Sequence, residues 1–302
     1  MLSAIRARLG DPTETGFGRL GHEFVESRVA VAALGLVVLL GVLAILAPWV
    51  APQNPYDLAQ LSIMDNMLPP FAKGMDGRIY ALGTDDQGRD MLSAMLYGLR
   101  MSLAVGIVAT EAALAIGTTV GVIAAYFGGL IDSVTMRIVD IQLSFPAILI
   151  ALILLAILGK GVDKVVIALV SIQWAYYART IRGAALVERR REYIEAARCL
   201  ALPQSRIIFR HLLPNAFPPL IVVATVQLAH AIALEATLSF LGVGVPITEP
   251  SLGLLIANGY GYLLSGRYWI SLYPGVALLL TILAINLVGD QLRDVMNPRL
   301  RR

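Results

Sequence analysis

Cysteine is nearly missing. In 302 residues only Cys199 occurs, so no disulfide can form within the chain. Histidine is almost as scarce, and His22, His211 and His230 lie too far apart in sequence to suggest a zinc cluster. Charge is thin as well: Asp, Glu, Lys and Arg make up 15% of the chain, against roughly 25% in an ordinary soluble domain. The net charge of +3 is too small for an electrostatic nucleic-acid binder. No G-x-x-x-x-G-K-[S/T] loop is present, since Lys160 follows Gly159 without a glycine at the required upstream place, and no His-Glu-x-x-His or comparable catalytic grouping occurs. There is no repeat of 20–50 residues, which argues against a solenoid.

What is present is apolar surface. The hydrophobic set makes up 57% of the chain and the mean hydropathy is +0.73, too high for a water-soluble shell. An all-α, polytopic membrane protein follows. Runs of about 18 or more apolar residues can cross a ~30 Å hydrocarbon core. Six are predicted: Val29–Val50, Met101–Phe127, Ile141–Leu158, Gly161–Ala178, Phe217–Leu241 and Tyr268–Val288. The first is too long for a signal-peptide core and has Arg6, Arg8, Arg19 and Arg28 before it, so it reads as an uncleaved span. With both termini inside, 17 of the 24 basic residues fall on the inner side, the N-in, C-in arrangement that basic loops favour. The chain then divides into an inner tail (1–28), a first span with an outer loop (29–100), a five-helix unit (101–290) and a C-terminal tail (291–302).

Local signals refine these boundaries. Asn215 is expected to cap the fifth span ahead of Pro218 and Pro219, and Asp163 the fourth. In the outer loop, Met91, Leu92, Met95, Leu96 and Leu99 recur at helical spacing, which predicts an interfacial amphipathic helix capped by Asp85 or Asp86. That Asp-rich turn lacks the ligand spacing of an EF-hand. Arg137 and Asp140 are spaced for a local ion pair.

The stretch Arg179–Leu213 is the most informative. It carries eight Arg against three Glu, and Val187–Leu200 reads as a helix that Pro203 stops. Tyr193, Ile194, Ala197, Leu200 and Leu202 give it an apolar side that a solvated loop would not need, which suggests a partner protein on that face.

Glu195-Ala196-Ala197, followed at a distance by Leu213-Pro214, resembles the EAA loop of permease subunits of type I ABC importers. That family's pattern is EAA, three residues, Gly, nine residues, Ile, one residue, Leu-Pro. Here the Gly position is Ala201 and the Ile position His211. Ile207–Asn215, Leu82–Gly106, Leu238–Pro246 within Leu234–Gly253, and Gly289–Arg299 are similar to the peptide and nickel branch, of the dipeptide or oligopeptide "C" subunit type. The resemblance implies a six-helix permease fold in a bacterial inner membrane, a coupling loop formed by Glu195, Ala196, Ala197, Arg198, Ala201, Leu213 and Pro214, and no cofactor or catalytic residue of its own. It implies as partners a homologous second permease, two ATP-binding subunits that hold ATP and Mg, and a periplasmic or lipid-anchored binding protein. A left-handed residue at position 201 would cost Ala about 1 kcal/mol or more, so either the turn is right-handed or neighbours compensate.

Within the spans, Glu111, Glu235 and His230 are candidates for the pathway or for interhelical polar contacts: Glu111 either lines the route or pairs with a neighbouring helix, Glu235 reads first as an interhelical structural bond, and His230 as a hydrogen-bonded core residue in preference to a metal ligand. Peptides are the default cargo, with nickel chelates, opines, glutathione or similar solutes as alternatives. A secondary transporter or an intramembrane enzyme are the competing classes. The first lacks visible inverted repeats and the second lacks a catalytic cluster.

Overall fold

The computed structural model describes residues 16–57, 61–75 and 77–296. Arg6, Arg8 and the tail from 297 onward lie outside the described residues. Part of the supposed N-terminal tail is helical: α1 (Gly16–Val25) precedes α2 (Arg28–Val50), which Ser27 caps by accepting from the Ala30 amide at 3.3 Å. Only Ala30, Ala33, Ala44 and Ala47 of α2 are buried. A narrow stripe of small residues packs inward with Val37, Leu40 and Leu43 beside it, and side chains such as Val38, Leu39, Val42 and Ile45 face out, as lipid demands.

The outer loop is more ordered than its prolines suggest. A two-residue antiparallel pair joins β1 (Ala72–Lys73) and β2 (Ile79–Tyr80). Below it, Arg89 Nε donates to Asp85 at 2.6 Å, and both side chains are buried. Asp85 also accepts from the Gln87 and Arg89 amides, so it holds the turn and does not cap the next helix. The cap is Asp90, which accepts from the Ser93 amide at 2.8 Å. Trp269 Nε1 donates to the Thr84 carbonyl and ties this module to the last helix.

The expected interfacial helix is not separate. From Met91 one helix, α3 (Met91–Phe127), runs unbroken for 37 residues, about 55 Å at ~1.5 Å per residue, so its first turns extend beyond the hydrocarbon core. Nothing between Arg100 and Met101 breaks the backbone hydrogen-bond ladder. Gly128 and Gly129, at φ +69° and +57°, end it and turn the chain at once into α4 (Gly129–Leu143).

The third span is broken. Helix α4 and α5 (Ala147–Leu158) meet at 91° across Ser144-Phe145-Pro146. Pro146 disfavours a helical Phe145 and carries no N–H for the ladder. At 12 residues, α5 alone spans only about 18 Å. Helix α6 (Val162–Glu188) starts at Gly161, with Asp163 in its first turn and not at its cap, and continues ten residues past the expected end of the fourth span. Among the described residues four helices are long and apolar enough to cross a membrane: α2, α3 and two described below, α10 and α12. The bent pair adds a fifth if it counts as one. Helix α6 stays outside that set because Lys164, Gln173, Arg179 and Arg182 lower its hydropathy.

The chain then folds through α7 (Glu192–Cys199), α8 (Gln204–Arg206), a π-helical turn at Ile207–Leu212 and α9 (Leu213–Ala216). Pro218 and Pro219 open α10 (Pro218–Phe240) in its first turn, where the missing N–H groups have no intrahelical partner. Its cap position is Phe217, and Asn215 instead donates backwards to the His211 carbonyl at 2.7 Å. A short α11 (Leu252–Tyr260), capped by Ser251, packs against α10 and α12 (Trp269–Met296), and α12 enters what read as the C-terminal tail.

Two apolar clusters hold the bundle. Val105, Ala109, Leu155, Leu169 and Leu238 occupy the outer half, and Tyr126, Tyr177, Ile181, Leu212 and Leu220 the inner half. Ile194 and Ala197 of α7 belong to the inner cluster, so the loop helix is part of the core.

Candidate functional site

The inner end of the bundle presents α7 on a rigid base. Helix α6 stops at Glu188, three residues turn the chain, and α7 begins at Glu192, so the region expected to be one helix over Val187–Leu200 is two. Ile194 is fully buried and Ala197 nearly so, while Glu195, Ala196, Arg198 and Cys199 face outward. The apolar side expected to meet a partner is therefore divided: Ile194 and Ala197 anchor the helix inward, and Tyr193 and Leu200 stay exposed. Arg198 sits 5.8 Å from the Tyr126 ring centroid, a cation–π contact that ties α7 to the end of α3. Tyr193 Oη donates to Glu188 at 2.6 Å, and partial burial followed by that carboxylate pushes the phenol up to about 12.

Helix α7 ends on a left-handed alanine. Ala201 has φ +53°, its amide donates to the Arg198 carbonyl at 2.9 Å, and the Leu202 amide reaches back to Ala197 at 3.2 Å. This pair of bonds is a Schellman motif with Ala at the position glycine usually takes. The turn is left-handed, with Leu202 packed on the inner cluster as compensation. Ala201→Gly should relieve about 1 kcal/mol of backbone strain, seen as a higher melting temperature of the detergent-solubilised protein and slower proteolysis after Arg198. An unchanged or lowered melting temperature would contradict this account.

The arginines of this region are less available than their number suggests. Arg182 makes a bidentate pair with Asp132 of α4, at 2.9 and 2.5 Å, and Arg179 pairs with Asp140. Asp140 therefore does not pair with Arg137 as its spacing predicts, because α6 brings a longer-range partner to it. Arg189 caps α3 through the Ala125 carbonyl, and Arg191 lies 3.8 Å from Glu188. With Arg198, five of the eight hold the fold together.

After Pro203, the Leu213 amide bonds to the Ile208 carbonyl five residues back, the π-type spacing that carries the chain to Pro214. Leu213 packs against the inner cluster, Pro214 is exposed, and His211 is half-buried.

Residues 117–302 match the family described as binding-protein-dependent transport system inner membrane component. The chain belongs to this family. Residues 18–70 match the N-terminal TM domain of oligopeptide transport permease C. A dipeptide transport system permease protein of Haemophilus influenzae is 33% identical over 92% of this chain and 93% of its own length. A di/tripeptide transport system permease protein of Pseudomonas aeruginosa is 36% identical over 93% and 91%. Among solved structures, an inward-facing methionine ABC transporter aligns with TM-score 0.54 and 26% identity, over 68% of this chain and 97% of that one. This chain is thus a multi-pass ABC-transporter permease, a non-catalytic subunit type.

In this permease Glu111 is exposed on α3, beside a cavity of about 240 Å³ that Phe217, Leu220 and Leu228 also line. Glu235 is fully buried and accepts from Ser102 and Ser239, each at 2.8 Å, linking α10 to α3. His230 departs from expectation: it is not a core residue but exposed, on the wall of two adjoining cavities. No group of three or more His, Cys, Asp or Glu with metal-binding geometry occurs among the described residues.

Residue spacing alone missed two features. Gly117 and Gly121 carry the contact between α3 and α6, and the G-x-x-x-G spacing was there to be read. Gln173 donates from Nε2 to the Gln227 carbonyl at 2.9 Å, a cross-helix bond with no signal in the sequence.

Proposed function

We propose that this permease is one half of the translocation path of an ATP-driven peptide importer in a bacterial inner membrane. The observation that carries the reading is the identity of 33–36% over nine-tenths of the chain with permeases named for dipeptides and di/tripeptides. In this reading α6 and the bent α4–α5 pair complete a set of six spans, and the arginine-rich inner segments keep both termini in the cytoplasm. A homologous permease completes the path, and a binding protein delivers the cargo.

Helix α7 docks on an ATP-binding subunit, with ATP and Mg held there and not by this chain. Its outward side of Glu195, Ala196 and Arg198 is small and polar, suited to close approach, and its inward side is fixed by Ile194 and Ala197. Movement at the ATPase would thereby reach α3, α6 and α10 as a rigid displacement.

The test is reconstitution. The chain, co-purified with its second permease and ATPases, is placed in vesicles with ATP inside and binding protein outside. The expected result is dipeptide uptake that depends on ATP and on the binding protein. Uptake of nickel chelates, glutathione or opines in place of dipeptides would overturn the peptide assignment, and transport by the isolated chain would overturn the importer.

A further inference from the structure

Along α6 and α10 runs a groove whose mostly apolar walls are interrupted by polar side chains. Toward the inner side it widens to a cavity of about 590 Å³ and toward the outer side it narrows to about 270 Å³, and Tyr176, Gln227 and His230 line both. His230 stands 12 residues into the 23-residue α10, about 18 Å along it and near mid-membrane. Tyr176, His230 and Thr237 are exposed, and an exposed imidazole at that depth is costly against hydrocarbon. Asp290 and Arg293, one turn apart on α12, flank the inner mouth.

Gln173 adds an independent observation. It lines the outer cavity, is only 3% exposed, and its Oε1 has no hydrogen-bond partner. Its Nε2 donates to the Gln227 carbonyl, which fixes the amide so that the unpaired atom is an acceptor. A buried acceptor left unpaired costs about 1–3 kcal/mol, so a donor that enters the groove is favoured there.

We infer that this groove is the water-lined substrate path of the permease and that Gln173 and His230 contact the backbone or α-ammonium of an extended peptide. The inference rests on the importer reading and adds the contacting residues. A peptide offers N–H or ammonium donors to Gln173 and carbonyls to the His230 ring and the Tyr176 hydroxyl. Such contacts are indifferent to the cargo's side chains. Glu111 does not belong to this path, because Ile221, Ala224 and Leu228, which share its cavity, lie on the face of α10 opposite His230.

The test is cysteine accessibility in the assembled importer, in a chain whose one cysteine is replaced by Cys199→Ser. His230→Cys and Thr237→Cys report the groove, and Ile221→Cys reports the opposite face. A membrane-impermeant methanethiosulfonate reacts with thiolate, and burial that raises a thiol pKa by about one unit slows the reaction about tenfold at neutral pH. The groove positions should label about tenfold or more faster than Ile221→Cys, and saturating dialanine should slow labelling at His230→Cys several-fold. Equal labelling of the two faces, no labelling of the groove, or indifference to dialanine would each overturn the inference. Dipeptide uptake by the unsubstituted assembly separates the two readings. If uptake is absent the importer reading falls, and if it is present while His230→Cys is silent or unprotected, only this inference falls.

Discussion

Glu195→Lys is expected to leave membrane insertion and the helical core intact while abolishing transport. Glu195 sits outward at the middle of an eight-residue helix whose position is set by Ile194 and Ala197 on the other side. No hydrogen bond or ion pair with other described residues involves its carboxylate, so the fold does not depend on the charge. What changes is the surface offered to a partner. Reversing a charge at a docked polar surface replaces complementarity with repulsion, a change of several kcal/mol, and each ~1.4 kcal/mol is about a factor of ten. In reconstituted vesicles, dipeptide uptake should fall at least about tenfold and ATP turnover should lose its response to loaded binding protein. The melting temperature should match that of the unsubstituted chain. Normal substrate-stimulated ATP turnover in this variant would sink the coupling role.

That expectation is legible in the sequence because an EAA triplet and a Leu-Pro at fixed spacing are local features. So are the helices whose apolar runs are long, and the Pro218-Pro219 pair that opens α10, whereas the span expected over Ile141–Leu158 runs through Pro146, where the helix in fact breaks at 91°. Features that depend on which helix meets which are not readable in this way. Asp85 and Asp86 are equally plausible caps by composition, yet the cap is Asp90, and a buried Arg89 assigns Asp85 to the turn. Asp140 has Arg137 at helical spacing, yet its partner is Arg179, 39 residues on. His230 reads as core because it lies within the fifth span, and its neighbours Ala229 and Ala231 are indeed buried. One helical position differs from the next by about 100°, so His230 itself faces the groove. The arginine-rich loop carries a mixed signal, since the count of eight is real but four of them, Arg179, Arg182, Arg189 and Arg198, contact helices the sequence does not bring together, and Arg191 pairs locally with Glu188.

The packing of α3 on α6 gives the largest expected effect on folding. A Cβ placed on Gly121 would lie 2.4 Å from the Ala178 carbonyl oxygen and 2.4 Å from Ile181 Cγ2, and one on Gly117 would lie 2.3 Å from the Trp174 carbonyl. Two of these three obstacles are backbone, which cannot rotate away. The four-residue spacing puts both glycines on one face, and the two helix backbones approach through that face. In a bilayer, where apolar side chains gain little by leaving lipid for protein, such close contact is a main source of helix association. Gly121→Val must push the helices apart and open the inner cluster around Tyr177 and Ile181, a cost of about 3 kcal/mol or more. Gly41→Ala in α2 is the control, because its Cβ would meet nothing within 4 Å, and a helical Gly→Ala change is neutral or mildly stabilising. Size-exclusion profiles and thermal melts in detergent should show aggregation or a large drop in melting temperature for Gly121→Val alone. If Gly121→Val melts like the unsubstituted chain, the α3–α6 contact is not the close crossing described above.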